Sequence, residues 1–303
     1  MPKIAFLFPG QGAQSIGMAR ELCESMPEAR AMFDQAGEIL GYDLADICFN
    51  GPVEKLNSTV VSQPALYVSS MAAVEQLKQQ SPEVVEGCAG AAGLSLGEYS
   101  ALAFAGALSF EDGLRLVQKR GEAMQAAADA TPSGMVSVLG LEREQVEAVC
   151  DNARQPGEIL QVANLLCKGN IAVSGHNASC DGVESAAEEA GAMKCVKLAV
   201  AGAFHTPIME SAVSLLEQAL EGVDFADTRI PVFSNVDAAP HTSAGEFKNL
   251  LTTQVCSPVL WQNSMQAMLD DGYDEFYEVG TGRVLRSLMK RISRRTKVHG
   301  TLD

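Results

Sequence analysis

Several absences narrow this 303-residue chain before any motif does. It has 22 Lys plus Arg against 38 Asp plus Glu, so it lacks the basic excess that a nucleic-acid surface needs, and its formal charge is −16. Its eight cysteines are scattered, the nearest two (Cys167 and Cys180) lying 13 positions apart, with no C-x-x-C or Cys/His cluster. That pattern argues against a zinc site, any other metal centre or a disulfide framework. Buried small hydrophobes in a reducing compartment are expected instead. No uninterrupted apolar run reaches the roughly 18 residues of a membrane span. Met1-Pro2-Lys3 leads straight into an apolar segment without a signal-peptide pattern, so a cytoplasmic place is expected, or an organelle matrix or stroma if a targeting peptide has been removed. Internal repeats and low-complexity segments are also missing.

What is present is ordinary globular composition, 47% hydrophobic and 20% charged. A chain of this length buries a sizeable core as one large domain, or as one domain carrying an insert. Ile4 to Phe8 reads as a buried strand stopped by Pro9-Gly10. Gln63 to Gln79 shows helical spacing of apolar residues, and Val84 to Leu94 reads as a strand entering a tight turn. Ser109 with Asp112 opens a helix running to about Ala127. Residues 128–199 follow the order β-α-β-β-α-β of a ferredoxin-like unit, taken as an insert between 1–127 and 200–303. Pro207 to Leu220 reads as a helix, Ile230 to Ser234 and Glu275 to Val279 as strands, and Gly280-Thr281-Gly282 opens the last helix. Alternating strands and helices predict an α/β fold with a mostly parallel sheet covered on both faces.

The strongest local signal is Gly93-Leu94-Ser95-Leu96-Gly97 between a predicted strand and a predicted helix. A serine on such a strained turn needs small neighbours if its hydroxyl is to stand clear, and the helix behind it offers N–H groups to an oxyanion. Without that context the pattern is only a glycine-rich turn. A nucleophilic serine needs a base. Of the four histidines, His299 and His241 read as solvated surface residues and His176 as a structural residue at a strand end. His205 sits at a strand-to-helix connection, where α/β active sites gather, and is the candidate base. Most carboxylates between Ser95 and His205 fall in the insert and none has a strand-end context, so an uncharged group is a candidate for orienting the imidazole.

Phe8-Pro9-Gly10-Gln11-Gly12-Ala13-Gln14 follows the first strand and suits an oxyanion nest, though a plain turn would look similar. It matches neither the P-loop nor the dinucleotide pattern. Lys119-Arg120-Gly121 lies within a helix, where basic residues are usually solvated. Arg120 gains meaning only beside a substrate carboxylate, which its planar fork suits.

Together these segments resemble the malonyl-CoA:acyl-carrier-protein transacylases, and the likeness spans nearly the whole chain. It runs through the motifs at 8–14, 93–98 and 119–121, then Ala203-Phe-His-Thr-Pro207, Gln254-Val-Cys-Ser-Pro-Val-Leu-Trp261 and Glu278-Val-Gly-Thr-Gly-Arg-Val-Leu285. The resemblance implies a hydrolase-like core with a ferredoxin-like subdomain, and a ping-pong transfer of malonyl from malonyl-CoA to the phosphopantetheine thiol of acyl carrier protein. By similarity, Ser95 carries the acyl group and His205 activates it. The backbone carbonyl of Gln254 holds the histidine, and the amides of Gln11 and Leu96 form the oxyanion hole. Arg120 pairs with the malonyl carboxylate, and Phe204 excludes a 2-methyl branch. CoA thioester is then a substrate and no cofactor is implied; a monomer without nucleic-acid or membrane partners is expected.

Two departures stand out: Leu94 where many members have His, and Leu165-Leu-Cys-Lys-Gly-Asn170 after Asn164 where many have a different run. Lys194 and Lys197, at the insert's last strand, are candidates for holding the CoA adenine and 3′-phosphate. Two other readings remain at this level: a serine hydrolase that uses water, and a silent carrier-binding scaffold. Finally, Arg283, Arg286, Lys290, Arg291, Arg294, Arg295 and Lys297 form a basic tail with no acid before Gly300. The positions 283, 286, 290, 294 and 297 fall at helical spacing opposite Leu285, Leu288 and Ile292. That face is either simply solvated or a dock for an acidic carrier.

Overall fold

A computed structural model describes residues 2–302. The larger sheet has six strands in the order β10-β9-β1-β2-β7-β8. They are β1 (Ile4–Phe8), β2 (Cys88–Gly93), β7 (Val232–Phe233), β8 (Pro240–His241), β9 (Glu275–Thr281) and β10 (Lys297–Leu302). All pairings are parallel except the short β7–β8 ladder. β1 is apolar at every position because helices cover both of its faces. β2, with sequence Cys-Ala-Gly-Ala-Ala-Gly, is small because neighbours press on it: a Cβ on Gly90 would lie 2.3 Å from the Tyr273 hydroxyl.

The smaller sheet is antiparallel, in the order β4-β5-β3-β6, built from β3 (Ser133–Leu139), β4 (Leu160–Cys167), β5 (Asn170–His176) and β6 (Lys194–Lys197). With the helices Arg143–Ala153 and Asn177–Glu189 the chain order is β-α-β-β-α-β. Strand alternation divides its residues: Val136, Val138 and Val173 pack with Val146, Val149 and Val183 from the two helices. Met135 and Ala172 point the other way, into a cleft against the larger sheet. Val259 stitches the two parts, donating to Ala163 O at 2.8 Å and accepting from Leu165 N at 2.9 Å.

Several expectations are corrected. The Gln63–Gln79 segment is a helix as expected but belongs to a longer one, Thr59–Gln80, buried on nearly every face because other helices and β9 surround it. Val84 lies not in a strand but in the short Pro82–Glu86 helix, which Pro82 starts at a position that needs no N–H donor. The 230–234 strand shrinks to Val232–Phe233, and the 207–220 helix divides into a 3₁₀ turn (Pro207–Met209) and an α-helix (Glu210–Glu221). The last helix, Val284–Ile292, stops before Arg294, and Lys297 begins β10, so neither residue continues the helical basic face. β10 pairs along β9, with His299 stacked on Tyr277 and bonded to Glu275 at 2.8 Å. His241 is in β8 and is not the solvated residue expected; its side chain is only 15% exposed, between Asp237 and Glu246. All eight cysteines are free thiols, six of them buried. Among the described residues no helix is long and apolar enough to cross a membrane.

Candidate active site

The site forms where β1 and β2 end. The chain turns at Phe8-Pro9-Gly10 so closely against the next turn that a Cβ on Gly10 would lie 2.2 Å from Leu94 O. Ser95 is held at φ 50°, a left-handed backbone that a serine rarely adopts. Its flanking glycines permit the turn. A Cβ on Gly93 would fall 1.9 Å from the Gly97 carbonyl carbon, and one on Gly97 would fall 2.1 Å from Phe8 O. The helix Gly97–Ala105 starts immediately behind the serine. Among the described residues the backbone amides of Gln11 and Leu96 have no partner, which leaves both N–H groups for a ligand.

His205 is also in the left-handed region, at φ 62°, and buried. Ser95 Oγ donates to its Nε2 at 2.9 Å, and its Nδ1 donates to Gln254 O at 2.9 Å. Gln254 lies in the last turn of the helix Ala244–Cys256, where carbonyls have no helical partner, so this oxygen is available to the imidazole. It takes the place that the carboxylate occupies in a Ser-His-Asp triad. Burial, followed by the nearby Arg120 charge, pushes the His205 pKa down from 6.5 to about 4 against the raising effect of the Gln254 carbonyl. The imidazole is therefore neutral near pH 7, with Nε2 free to accept a proton.

Arg120 is not a solvated helix residue. It is 1% exposed and inserts from the helix Phe110–Ala130. Its Nη1 donates to Gln63 Oε1 at 2.8 Å, and its Nη2 donates to Ser95 Oγ and Gln254 Oε1, each at 2.9 Å. The guanidinium lies 5.5 Å from the Tyr99 ring centroid, and its Nε has no partner. A buried cation with neutral acceptors and an idle N–H, beside the Ser95 hydroxyl, is an arrangement suited to an anionic group.

A cavity of about 220 Å³ opens over Ser95 and His205. Gln11, Leu94 and Phe204 contribute to it from the larger part, Asn164 and Leu166 from the smaller sheet, and Val284 and Leu288 from the last helix. The run 165–170, where the chain departs from many members, is a strand end and hairpin at the cavity wall. Lys194 and Lys197 are not brought to the cavity: they lie exposed on β6, and Lys197 pairs with Asp181 at 3.1 Å.

The chain matches the acyl transferase domain model over residues 5–298. It is 41% identical to the malonyl CoA-acyl carrier protein transacylase of Bacillus subtilis (strain 168), covering 100% of this chain and 94% of that protein. The chain belongs to this family of acyl transferases. The solved structure of the transacylase from Coxiella burnetii superposes with a TM-score of 0.94 at 34% identity, over 99% of this chain and 94% of that one. A malonyl-transacylase in complex with its type II PKS acyl-carrier protein superposes at 0.93 with 34% identity, over 98% of this chain and 94% of that one.

Three functional-site residues escaped the sequence reading. Glu98 is 2% exposed, and its Oε2 accepts from Asn235 N at 3.0 Å and Gln254 Nε2 at 2.7 Å. Asn235 in turn accepts from Ser95 N at 2.6 Å and donates to Gly93 O at 2.7 Å. Gln63 supplies an acceptor to Arg120. Glu98 lay in view at the end of the 93–98 motif. Asn235, which follows a strand of only two residues, and Gln63, inside a helix, carried no local signal.

Proposed function

We propose that this chain moves a malonyl group from malonyl-CoA to the phosphopantetheine thiol of an acyl carrier protein through an ester on Ser95. Ser95 Oγ attacks the thioester carbonyl while its proton passes to His205 Nε2. The oxyanion is received by the Gln11 and Leu96 amides, and collapse expels CoA as its thiol, with the proton returned from His205. The carrier's thiol then gives its proton to His205, attacks the ester, and Ser95 leaves with that proton restored. The Gln254 carbonyl keeps the imidazole in the tautomer that both half-reactions need. CoA thioester is consumed as substrate, and no cofactor or metal has a role in this sequence of steps.

The observation that carries the reading is Arg120, a fully buried guanidinium 2.9 Å from the nucleophile with no carboxylate partner among the described residues. An acyl group ending in a carboxylate completes it, whereas a simple ester would leave it unsatisfied. Binding that carboxylate also offsets the field that holds the His205 pKa down, so the substrate moves its own base toward the working range. Phe204, in the cavity wall beside His205, restricts the space for a branched acyl group. The enzyme is read as a monomer of the cytoplasm or an organelle matrix.

Intact-mass analysis after mixing with malonyl-CoA tests the reading. A malonyl adduct is expected on Ser95, stable until a phosphopantetheinylated carrier is added. An equal adduct on Ser95→Ala, or none on the wild type, overturns it; rapid loss of the ester to water favours a hydrolase.

A further inference from the structure

One carboxylate that the steps above do not use joins both halves of the catalytic machinery. Oε2 of Glu98 accepts from the backbone N–H of Asn235 and from the side-chain amide of Gln254. Through Asn235 it reaches the elbow, because Asn235 Oδ1 accepts from Ser95 N and Nδ2 donates to Gly93 O. Through Gln254 it reaches the base, because the same residue's backbone carbonyl holds His205 Nδ1. Gln254 Nε2 also donates to Ser95 O at 3.1 Å, and its Oε1 accepts from Arg120.

We propose that Glu98 is a positioning residue for acyl transfer, acting as an obligate acceptor that sets Gln254 and Asn235, and through them His205 and Ser95. The physical reason is the two-ended amide of Gln254. An ionised carboxylate can only accept, so it fixes Nε2 toward Glu98 and leaves Oε1 for the guanidinium. A neutral glutamine at 98 could present its own NH₂ instead, allowing the reversed amide that sets donor against donor at Arg120. Glu98 also supplies a buried negative charge near Arg120 without contacting it, with the Gln254 amide between them. Arg120, from the helix Phe110–Ala130, is the charge whose field reaches Glu98; Tyr99 on its own helix and, across Gln254, His205 are the other titratable groups facing it. Burial raises the Glu98 pKa to about 6, against the opposing hydrogen bonds from Asn235, Gln254 and Ser234. Its acceptor-only state is thus lost under mildly acidic conditions, where the carboxyl gains an O–H donor before His205 is protonated.

This inference rests on the malonyl-transfer reading, and the test separates the two. Single-turnover loading of full-length protein by malonyl-CoA is followed by intact mass between pH 5 and 8, for wild type, Glu98→Gln and Gln254→Ala. Absence of wild-type loading defeats the functional reading itself. With wild-type loading present, folded Glu98→Gln is expected to load roughly 10- to 100-fold more slowly near pH 7.5, with KM for malonyl-CoA changed less than about twofold. The wild-type fall in rate below about pH 6 should also be absent from that variant. Gln254→Ala keeps the backbone carbonyl and should lose rate to a similar extent, which keeps the test open if Glu98→Gln does not fold. Wild-type rates in either folded variant, a loss confined to KM, or the same break near pH 6 in Glu98→Gln would overturn the assignment.

Discussion

The two walls of the cavity differ in kind. The floor, from the ends of β1 and β2 and the turn around His205, is backed by polar, heavily cross-bonded groups: Ser95 and His205 face the cavity, and Gln254, Asn235, Glu98 and Arg120, buried away from it, join them in a connected hydrogen-bond network. The opposite wall, from the smaller sheet and the last helix, offers mainly apolar side chains such as Met135, Leu166, Ala172 and Leu288. Fixed donors and acceptors stabilise charge only where they are held still, which suits the floor to chemistry. An apolar wall acts by shape and by excluding water, with energies that change gradually with each methylene. Substitutions on the floor should therefore have large, charge-specific effects, and those on the opposite wall and rim smaller ones.

The largest contrast is expected from Arg120→Ala, which should lower malonyl loading by about two to three orders of magnitude, a loss of roughly 3–4 kcal/mol in transition-state stabilisation. Acetyl loading, which lacks the carboxylate, should fall far less. Equal losses measured with malonyl-CoA and acetyl-CoA would mean that Arg120 does not read the acyl charge. The pH dependence comes next. His205 has its pKa lowered to about 4 in the free protein, first by burial and then by Arg120, so kcat/KM for wild-type loading should retain a final acid limb near that value. Because Arg120 contributes to the lowering, Arg120→Ala should move the limb upward, and an unmoved limb would refute that coupling.

The same shift bears on stability. Between pH 6.5 and 4 the unfolded chain binds a proton at this histidine that the folded chain does not, so its contribution to stability is lost as the pH falls through that window. Glu98 acts oppositely: from pH 6 to 4.5 the folded chain takes up the proton first, adding stability as the pH falls. Chemical denaturation of His205→Gln across this range should show a weaker loss of stability with acid than wild type.

On the shaping side of the comparison, Phe204→Ser should raise the preference for methylmalonyl-CoA relative to malonyl-CoA about tenfold, as expected for about 1–3 kcal/mol per added carbon. An unchanged ratio in competition assays would place the selection elsewhere. The smallest effect belongs to the rim. Lys290 and Arg291 are exposed on the helix whose Val284 and Leu288 line the cavity. Reversing both charges should raise KM for an acidic carrier several-fold while malonyl-CoA loading stays at the wild-type rate. If both half-reactions weaken alike, the basic face serves the fold.

Legibility from sequence followed the distance over which each feature is specified. The Gly93–Gly97 elbow was readable because the spacing of its glycines around a serine is itself a local pattern, although only Gly93 answers to a contact within the turn and Gly97 is pressed by Phe8 from β1. The order β-α-β-β-α-β was readable because the smaller unit packs largely on itself. The all-round burial of Thr59–Gln80 was not readable, since the helices and strand enclosing it come from distant segments. β10 was hidden for the same reason: its partner β9 defines it, and the residues between them suggested a continuing helix.

The sequence by itself determined the family and the alternation of elements, and it singled out the candidate nucleophile and the candidate base, all of which rest on local pattern or on long motif likeness. Only the tertiary structure decided that Arg120 is buried against Ser95 and that the Gln254 carbonyl, implied by likeness alone, reaches His205 from the last turn of its helix. It alone decided that Glu98 ties Gln254 to Asn235 across the chain. Those relations depend on desolvation and on donors and acceptors from remote segments meeting within about 3 Å, a distance that no local pattern of residues encodes.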